Sequence, residues 1–186
     1  METLESIRTR CSLKTHISTR EIEPDKINLV LEAGQLAASA RNYQPWRFIV
    51  VDDKEVITEL VQAFSESNQV IMNAPVILVV CGRAADDVIR EGREYYLFDI
   101  GLAVGNMVLA ATDLGLVTHL MTAFDETRVK QILHIPTDVR AVVASPLAYP
   151  PEATYAEAAR ERLAARTRKD HKELVYHNRW SEVEPA

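Results

Sequence analysis

The feature that most constrains this chain is the unbroken apolar run Pro75-Val76-Ile77-Leu78-Val79-Val80-Cys81. Such a run, rich in β-branched residues, reads as a strand. No position in it alternates to polar, so both of its faces must be covered. A chain that contains it has to build a sheet and supply layers for both sides. Three other segments read as strands: Trp46 to Val51, Val117 to Met121, and Ala141 to Leu147. The covering layers read as helices. Residues 2–9 form a short one. Pro24 suits the first turn of the next, whose face is Ile27, Leu29, Val30, Leu31, Ala33, Gly34 and Leu36 and which ends near Ala38. Asp52 or Asp53 caps a third, running to about Phe64, and Asp125 caps another through Leu133.

Residues 94–114 are apolar nearly all round, so that helix is central rather than superficial. Gly115 stands where a C-terminal glycine ends a helix. Gly101 and Gly105 lie one turn apart on it, and two readings stay open: close packing inside the chain, or a subunit interface. Helices and strands interleave, which makes a sheet with helices on both faces the natural architecture.

At 186 residues the default is one core. The formal net charge of −6 argues against a nucleic acid or an anionic membrane as the main partner, though a local basic pocket for a small anion remains open. The two cysteines, Cys11 and Cys81, form no CxxC or Cys/His cluster, so iron–sulfur and zinc sites have no support. The N-terminal residues lack a signal-peptide core, and the longest apolar region, Ile100 to Ala111, is too short to span a bilayer. On these points the expected location is the cytoplasm. The six glycines make neither a G-x-G-x-x-G turn nor a Walker loop. The five histidines are dispersed, and neither H-E-x-x-H nor G-x-S-x-G occurs. Any enzymatic reading therefore turns to a cofactor that brings its own chemistry.

Three segments have the composition to hold one. Arg10-Cys11-Ser12-Leu13-Lys14 sets two cations and a hydroxyl within five residues, a phosphate-like donor set. Arg166-Thr167-Arg168-Lys169 is a second basic run, whose two arginines share a side if the chain is extended. Alone, each is more often a solvated run than a site. Ser39-Ala40-Arg41-Asn42-Tyr43-Gln44-Pro45-Trp46 is a polar loop entering a strand, with Pro45 fixing the turn and Trp46 anchoring it. Held there, its polar groups suit the edge of a planar heterocycle. The plain alternative is an ordinary helix-to-strand connection.

With these segments in order, the chain resembles the nitroreductase family over about residues 4–180. Asn42-Tyr43-Gln44-Pro45-Trp46 looks like that family's Asn-x-Gln-Pro-Trp hallmark, and Arg10 to Lys14 is similar to its N-terminal phosphate motif. Ala74 to Val80 matches its second strand, Asp99 to Gly115 its central helix, and Ala148-Tyr149-Pro150 its Gly-Tyr-Pro turn. The resemblance implies an α+β fold: a three-layer sandwich of a mixed, mostly antiparallel sheet and flanking helices. It implies an FMN-binding core over residues 1–150 and a C-terminal extension over 151–186 that wraps the partner of a homodimer. That would account for a charged tail with no core of its own. Carried over by position, the FMN contacts are Arg10, Cys11, Ser12, Lys14, Ala38, Ser39, Ala40, Asn68, Thr122, Ala123, Arg166 and Arg168, with Arg41 and Tyr43 facing substrate.

The implied activity is hydride transfer from NADH or NADPH through FMN to a nitroaromatic, quinone or other planar small-molecule acceptor, in a ping-pong cycle and with no dedicated catalytic side chain. Within the same fold the resemblance also admits an azoline oxidase, a dehalogenase, a flavin-fragmenting enzyme or a non-catalytic FMN-binding protein. Outside it stands an α/β interaction domain with solvated basic runs. Three departures from the family pattern matter. Cys11 stands where Arg or His is usual, Ala148 replaces a glycine, and residues 82–94 are short where larger members cover the substrate pocket.

Overall fold

A computed structural model describes residues 2–12, 17–151 and 155–180. Its main sheet has strands β1 (Trp46–Val51), β2 (Val76–Gly82), β5 (Val117–Thr118) and β6 (Arg140–Ala148), in the order β1-β2-β6-β5. Every ladder in it is antiparallel. The parallel element is a single bridge from Ser12 to Thr118. The helices are α1 (Thr3–Thr9), α2 (Pro24–Gln35), α3 (Lys54–Val61), α4 (Tyr96–Asp113), α5 (Glu126–Ile132) and α6 (Tyr155–Ala164). A two-stranded hairpin, β3 (Ile89–Arg90) with β4 (Arg93–Glu94), stands apart from the sheet.

The apolar run behaves as its composition requires. All seven residues of β2 are buried. Side chains alternate across a strand, so Val76, Leu78 and Val80 pack on one face with α2 and α4, through Val30, Ile100, Ala103, Val104 and Met107. Ile77, Val79 and Cys81 pack on the other with Ile57, Leu60 and Val61 of α3 and Val129 of α5. Burying each such aliphatic side chain contributes about 1.5–3 kcal/mol. Two cores, one on each face, make the three-layer α+β arrangement.

Local signals set the element ends. The Asp53 carboxylate accepts from the N–H groups of Glu55 and Val56, and Asp125 accepts from that of Arg128. Gly115, at φ +74°, follows α4. Its N–H donates to Thr112 O, and that of Leu116 to Ala111 O, the paired bonds of a Schellman cap.

Four segments differ from the sequence reading. β5 stops at Thr118, and Met121 rejoins β6 as one bridge to Ala144. Residues 66–73 form a 3₁₀ stretch, where no periodic pattern marked an element. The charged tail contains a helix, α6. The fourth difference concerns glycine. A Cβ on Gly101 or Gly105 would meet nothing within 4 Å, whereas one on Gly34 would stand 2.7 Å from Met107 Cγ and 2.9 Å from Phe48 Cζ. Close approach between α2 and α4 therefore depends on Gly34, and the Gly101/Gly105 face of α4 is open. Phe98 and Leu102, on the exposed side of the same helix, are 63% and 38% exposed.

Candidate functional site

The N-terminal and C-terminal basic segments meet. Arg10, Cys11 and Ser12 form one wall of an open cleft of about 720 Å³, and Arg162, Leu163, Ala165, Arg166, Thr167 and Arg168 form the other. Arg166 Nη2 donates to Arg8 O at 3.1 Å, which ties the tail to the end of α1. Arg10 Nη1 donates to Ser12 Oγ at 3.1 Å, and the bridge to Thr118 fixes Ser12 against the sheet. Among the described residues, four arginines line this cleft and no carboxylate does. In a chain with net charge −6, such a concentration of positive charge is self-repelling unless an anion sits in it. Guanidinium groups beside a hydroxyl are the donor set for phosphate. Arg162 was not legible in advance, because only α6 brings it to the cleft. Cys11 lines the cleft and is buried; Lys14 lies outside the described residues.

The Ser39–Gln44 segment is built quite differently. Arg41 (φ +49°), Asn42 (φ +58°) and Gln44 (φ +51°) all occupy the left-handed region. That conformation costs a residue with a Cβ about 1–2 kcal/mol, so the surroundings must hold it. Ser39 Oγ accepts from Gln44 N at 3.0 Å, and Ser39 O and Ala40 O accept from the N–H groups of Asn42 and Tyr43. The Ala40 N–H donates to Asp99 Oδ2 at 2.7 Å, and Asp99 is 2% exposed in the first turn of α4. Arg41 and Tyr43 are exposed, while Pro45 and Trp46 are buried behind them. In the sequence Asp99 stands out only as the start of the segment resembling the family's central helix; its signal was one acid at the start of an otherwise apolar helix.

Asn68, Thr122 and Ala123 form a third group. Ser65 N donates to Ala123 O at 3.1 Å, Asn68 N donates to Ser65 O at 2.8 Å, and the rings of Phe64 and Phe124 meet edge to face. Thr122 and Ala123 are exposed. Asn68 is only 7% exposed, so little of its amide faces outward.

Within one chain the cleft and the strained segment lie apart. Ser12 pairs with Thr118, which pairs with Leu147. Trp46, just after the strained segment, pairs with Gly82, which pairs with Arg140. Arg140 and Leu147 stand at opposite ends of β6, about 23 Å apart at strand rise. One chain brings Arg10, Cys11, Ser12, Arg166 and Arg168 together and leaves Ala38 to Tyr43 at the far end of the sheet.

Where larger relatives of this fold class were expected to carry an excursion, residues 82–94 form a short 3₁₀ turn and the β3–β4 hairpin, closed by Glu91 (φ +53°) and Gly92 (φ +74°). Cys81 has no role here: burial pushes its thiol up to about 11, where it is neutral. Among the described residues, no group of three His, Cys, Asp or Glu is placed to hold a metal ion, and no helix is long and apolar enough to cross a membrane.

The sequence model of the nitroreductase family matches residues 7–72 and 65–149. The chain belongs to the nitroreductase family. A provisionally named NADH dehydrogenase/NAD(P)H nitroreductase of Archaeoglobus fulgidus is 34% identical over 153 residues, covering 80% of this chain and 86% of the relative. The crystal structure of a nitroreductase family protein from Clostridium novyi NT superposes with a TM-score of 0.78 at 30% identity, covering 82% of this chain and 87% of that one. An FMN-dependent nitroreductase from Clostridium difficile R20291 shares the fold, with a TM-score of 0.73 at 21% identity and coverage of 95% and 99%. This member is thus an oxidoreductase with the family's α+β fold.

Proposed function

We propose that this protein is a cytoplasmic, FMN-dependent NAD(P)H oxidoreductase that works as a homodimer on planar small-molecule acceptors. The observation that carries the reading is the cleft lined by four arginines and, among the described residues, by no acid. Its residues fit a phosphate monoester: Arg10, Arg166 and Arg168 supply charge-assisted donors, Ser12 a hydroxyl, and the cleft is open enough to admit a ribityl chain. The FMN-dependent relative of the same fold supports the choice of flavin. The chemistry that FMN supplies when bound is two-electron transfer at N5, from NADH or NADPH to a nitroaromatic, quinone or similar acceptor in a ping-pong cycle.

The protein's own residues bind and orient. The Ala38-Ser39-Ala40 backbone offers a rigid surface for the ring. The N–H groups of Ala40, Asn42, Tyr43 and Gln44 are already committed. Among the side chains of this segment, the Ser39 hydroxyl and the Arg41 guanidinium are donors that would favour negative charge at the ring's pyrimidine edge. Tyr43, 49% exposed, is placed to stack on an acceptor beside Arg41. Thr122 and Ala123 approach from the loop after β5, and Asn68 from behind them. No side chain is assigned as a dedicated acid.

A flavin ring and its phosphate cannot bridge both ends of one sheet. We therefore propose that the Ala38–Tyr43 segment of one subunit completes the cleft of the other. The open Gly101/Gly105 face of α4, with Phe98 and Leu102, is the surface proposed to pair. The reading is tested by the flavin spectrum of the purified protein, its solution mass, and anaerobic titration with NADH and NADPH. A yellow dimer bleached by either donor and reoxidised by a nitroaromatic or quinone is expected. A colourless protein that takes up no FMN overturns the proposal. A yellow one that neither donor bleaches restricts the protein to binding or to a more specialised flavin reaction.

A further inference from the structure

The strained segment is fastened to α4 by a buried carboxylate that has an unusual neighbour. Asp99 Oδ2 accepts the Ala40 N–H at 2.7 Å. Asp87, just before the β3–β4 hairpin, lies against Asp99. Asp87 Oδ1 accepts from its neighbour Val88 N at 2.6 Å. Asp87 Oδ2 is shielded from solvent and no donor reaches it. Two ionised carboxylates side by side, Asp99 buried and Asp87 partly so, repel each other, and a shielded acceptor with no donor costs free energy. One proton removes both penalties. Placed on Asp87 Oδ2, it donates to Asp99, which keeps the Ala40 N–H.

The neighbouring acid Asp86 is paired elsewhere. Asp86 engages Arg47 of β1 at 3.5 Å and Arg83 at 3.7 Å, and Arg83 also meets Asp138 at 2.8 Å. From α4 the neighbouring titratable groups are Tyr95 and Tyr96, from the hairpin Glu91, Arg93 and Glu94, and from the strained segment Arg41. Tyr95 N donates to Val88 O at 3.1 Å, so hairpin and helix start are joined at this point.

We propose that Asp87 and Asp99 hold one proton between them, and that this shared proton fastens the Ser39–Gln44 segment to the base of the β3–β4 hairpin. Both are then positioning residues: neither touches the ring, and both hold the surface on which it is proposed to lie. That last step rests on the flavin reading; the shared proton does not. Burial first, then the charge of Asp99 and the hydrogen bond to it, push the Asp87 carboxyl up, against the pull of the Val88 N–H. A pKa raised on folding contributes stability that is present at low pH and is lost as pH rises through the folded-state value. The segment should therefore loosen on the alkaline side of Asp87's titration.

The test follows the carboxyl carbons of Asp87 and Asp99 by NMR in FMN-free protein across a pH series, together with the amide signals of residues 40–44. Expected is an Asp87 titration above the ordinary carboxylate range, with the 40–44 amides shifting at the same pH. Asp87→Asn should keep those amides at their acid-side positions and remove the pH dependence, because an amide N–H donates to Asp99 permanently. Asp99→Asn should displace them at every pH. Asp87 titrating in the ordinary range, or amides indifferent to it, overturns the proposal, and the wild-type titration decides this even if a variant fails to fold. In protein loaded with FMN, affinity should weaken several-fold as pH rises through the same titration. An affinity flat across that range overturns the positioning role. A protein that binds no FMN at any pH refutes the flavin reading and leaves the carboxyl titration to decide the shared proton.

Discussion

The two ends of the sheet carry the two halves of the proposed site, and they are held in opposite ways. The arginine cleft joins chain segments from the two ends of the sequence through a few bonds to neutral oxygens, such as Arg166 to Arg8 O and Arg10 to Ser12 Oγ. Its backbone carries no left-handed residue among the described positions. The Ser39–Gln44 segment is local in sequence, stores strain at three residues and has the N–H groups of Ala40, Asn42, Tyr43 and Gln44 bonded within the protein. A phosphate is a compact charge that flexible guanidinium groups can close around, so adaptability costs little there. A planar ring is read by a surface, and a surface has to exist before the ring arrives. Strain fixed by a buried carboxylate is a way to make one.

The largest effect should come from removing charge at the adaptable end. Arg10→Ala with Arg168→Ala deletes two charge-assisted contacts worth about 1.5–3 kcal/mol each, and FMN should be released in a fluorescence titration while the melting curve of the FMN-free protein stays nearly unchanged. Unaltered FMN affinity would remove the phosphate assignment and, with it, the contrast between the two ends. At the rigid end, Gly82→Ala drives a Cβ to 2.5 Å from Ile100 Cδ1, 3.1 Å from Tyr96 and 3.2 Å from Pro45 O. Ile100 and Tyr96 are each 1% exposed and have little room to yield. Overpacking there should cost about 1–3 kcal/mol in urea unfolding. A neutral result would mean that the segment's support is softer than the comparison requires.

A smaller effect of opposite sign is expected from Gln44→Gly. Glycine relieves the left-handed backbone but makes the unfolded chain more flexible, leaving a net stabilisation of about 0.5–1 kcal/mol. If FMN affinity falls while stability rises, strain has been exchanged for function; a loss of stability would indicate that no strain is stored at this position. The smallest effect lies near the cleft end of β6. The Tyr149 hydroxyl donates to Glu23, Lys26 Nζ donates to the Tyr149 oxygen at 2.7 Å, and Arg20 sits 4.1 Å over the ring centroid. The Tyr149 hydrogen bond, then Glu23's own backbone N–H, with Lys26 and Arg20 behind them, holds the Glu23 carboxyl at about 2, below its ordinary 4.5. A lowered pKa contributes stability that is present above the ordinary value and lost as pH falls through about 2. Glu23 is exposed, so Tyr149→Phe should return its titration toward 4.5, read by carboxyl NMR, with little change in melting temperature.

Much of the fold was legible because it is written in short-range patterns. The apolar run of β2, the caps at Asp53 and Asp125 and the glycine after α4 each depend on residues within a few positions of one another, where sterics and hydrogen bonding act directly. Gly34 and Gly101 show the limit. Both are glycines on apolar helices, and only the packing of α2 on α4 makes the first a point of contact and leaves the second open. The site divides the same way. The residue types at Arg10, Ser12, Arg166 and Arg168 announced affinity for an anion, but their convergence, and the addition of Arg162, came from the path of the tail. Asp87 and Asp99 were invisible as a pair, since nothing in spacing sets one carboxyl against another across a hairpin and a helix. The sequence by itself determined a sheet buried on both faces and the donor types available to a ligand. Tertiary structure decided which donors meet, which backbone is strained and where a proton is held, because those depend on distances between residues far apart along the chain.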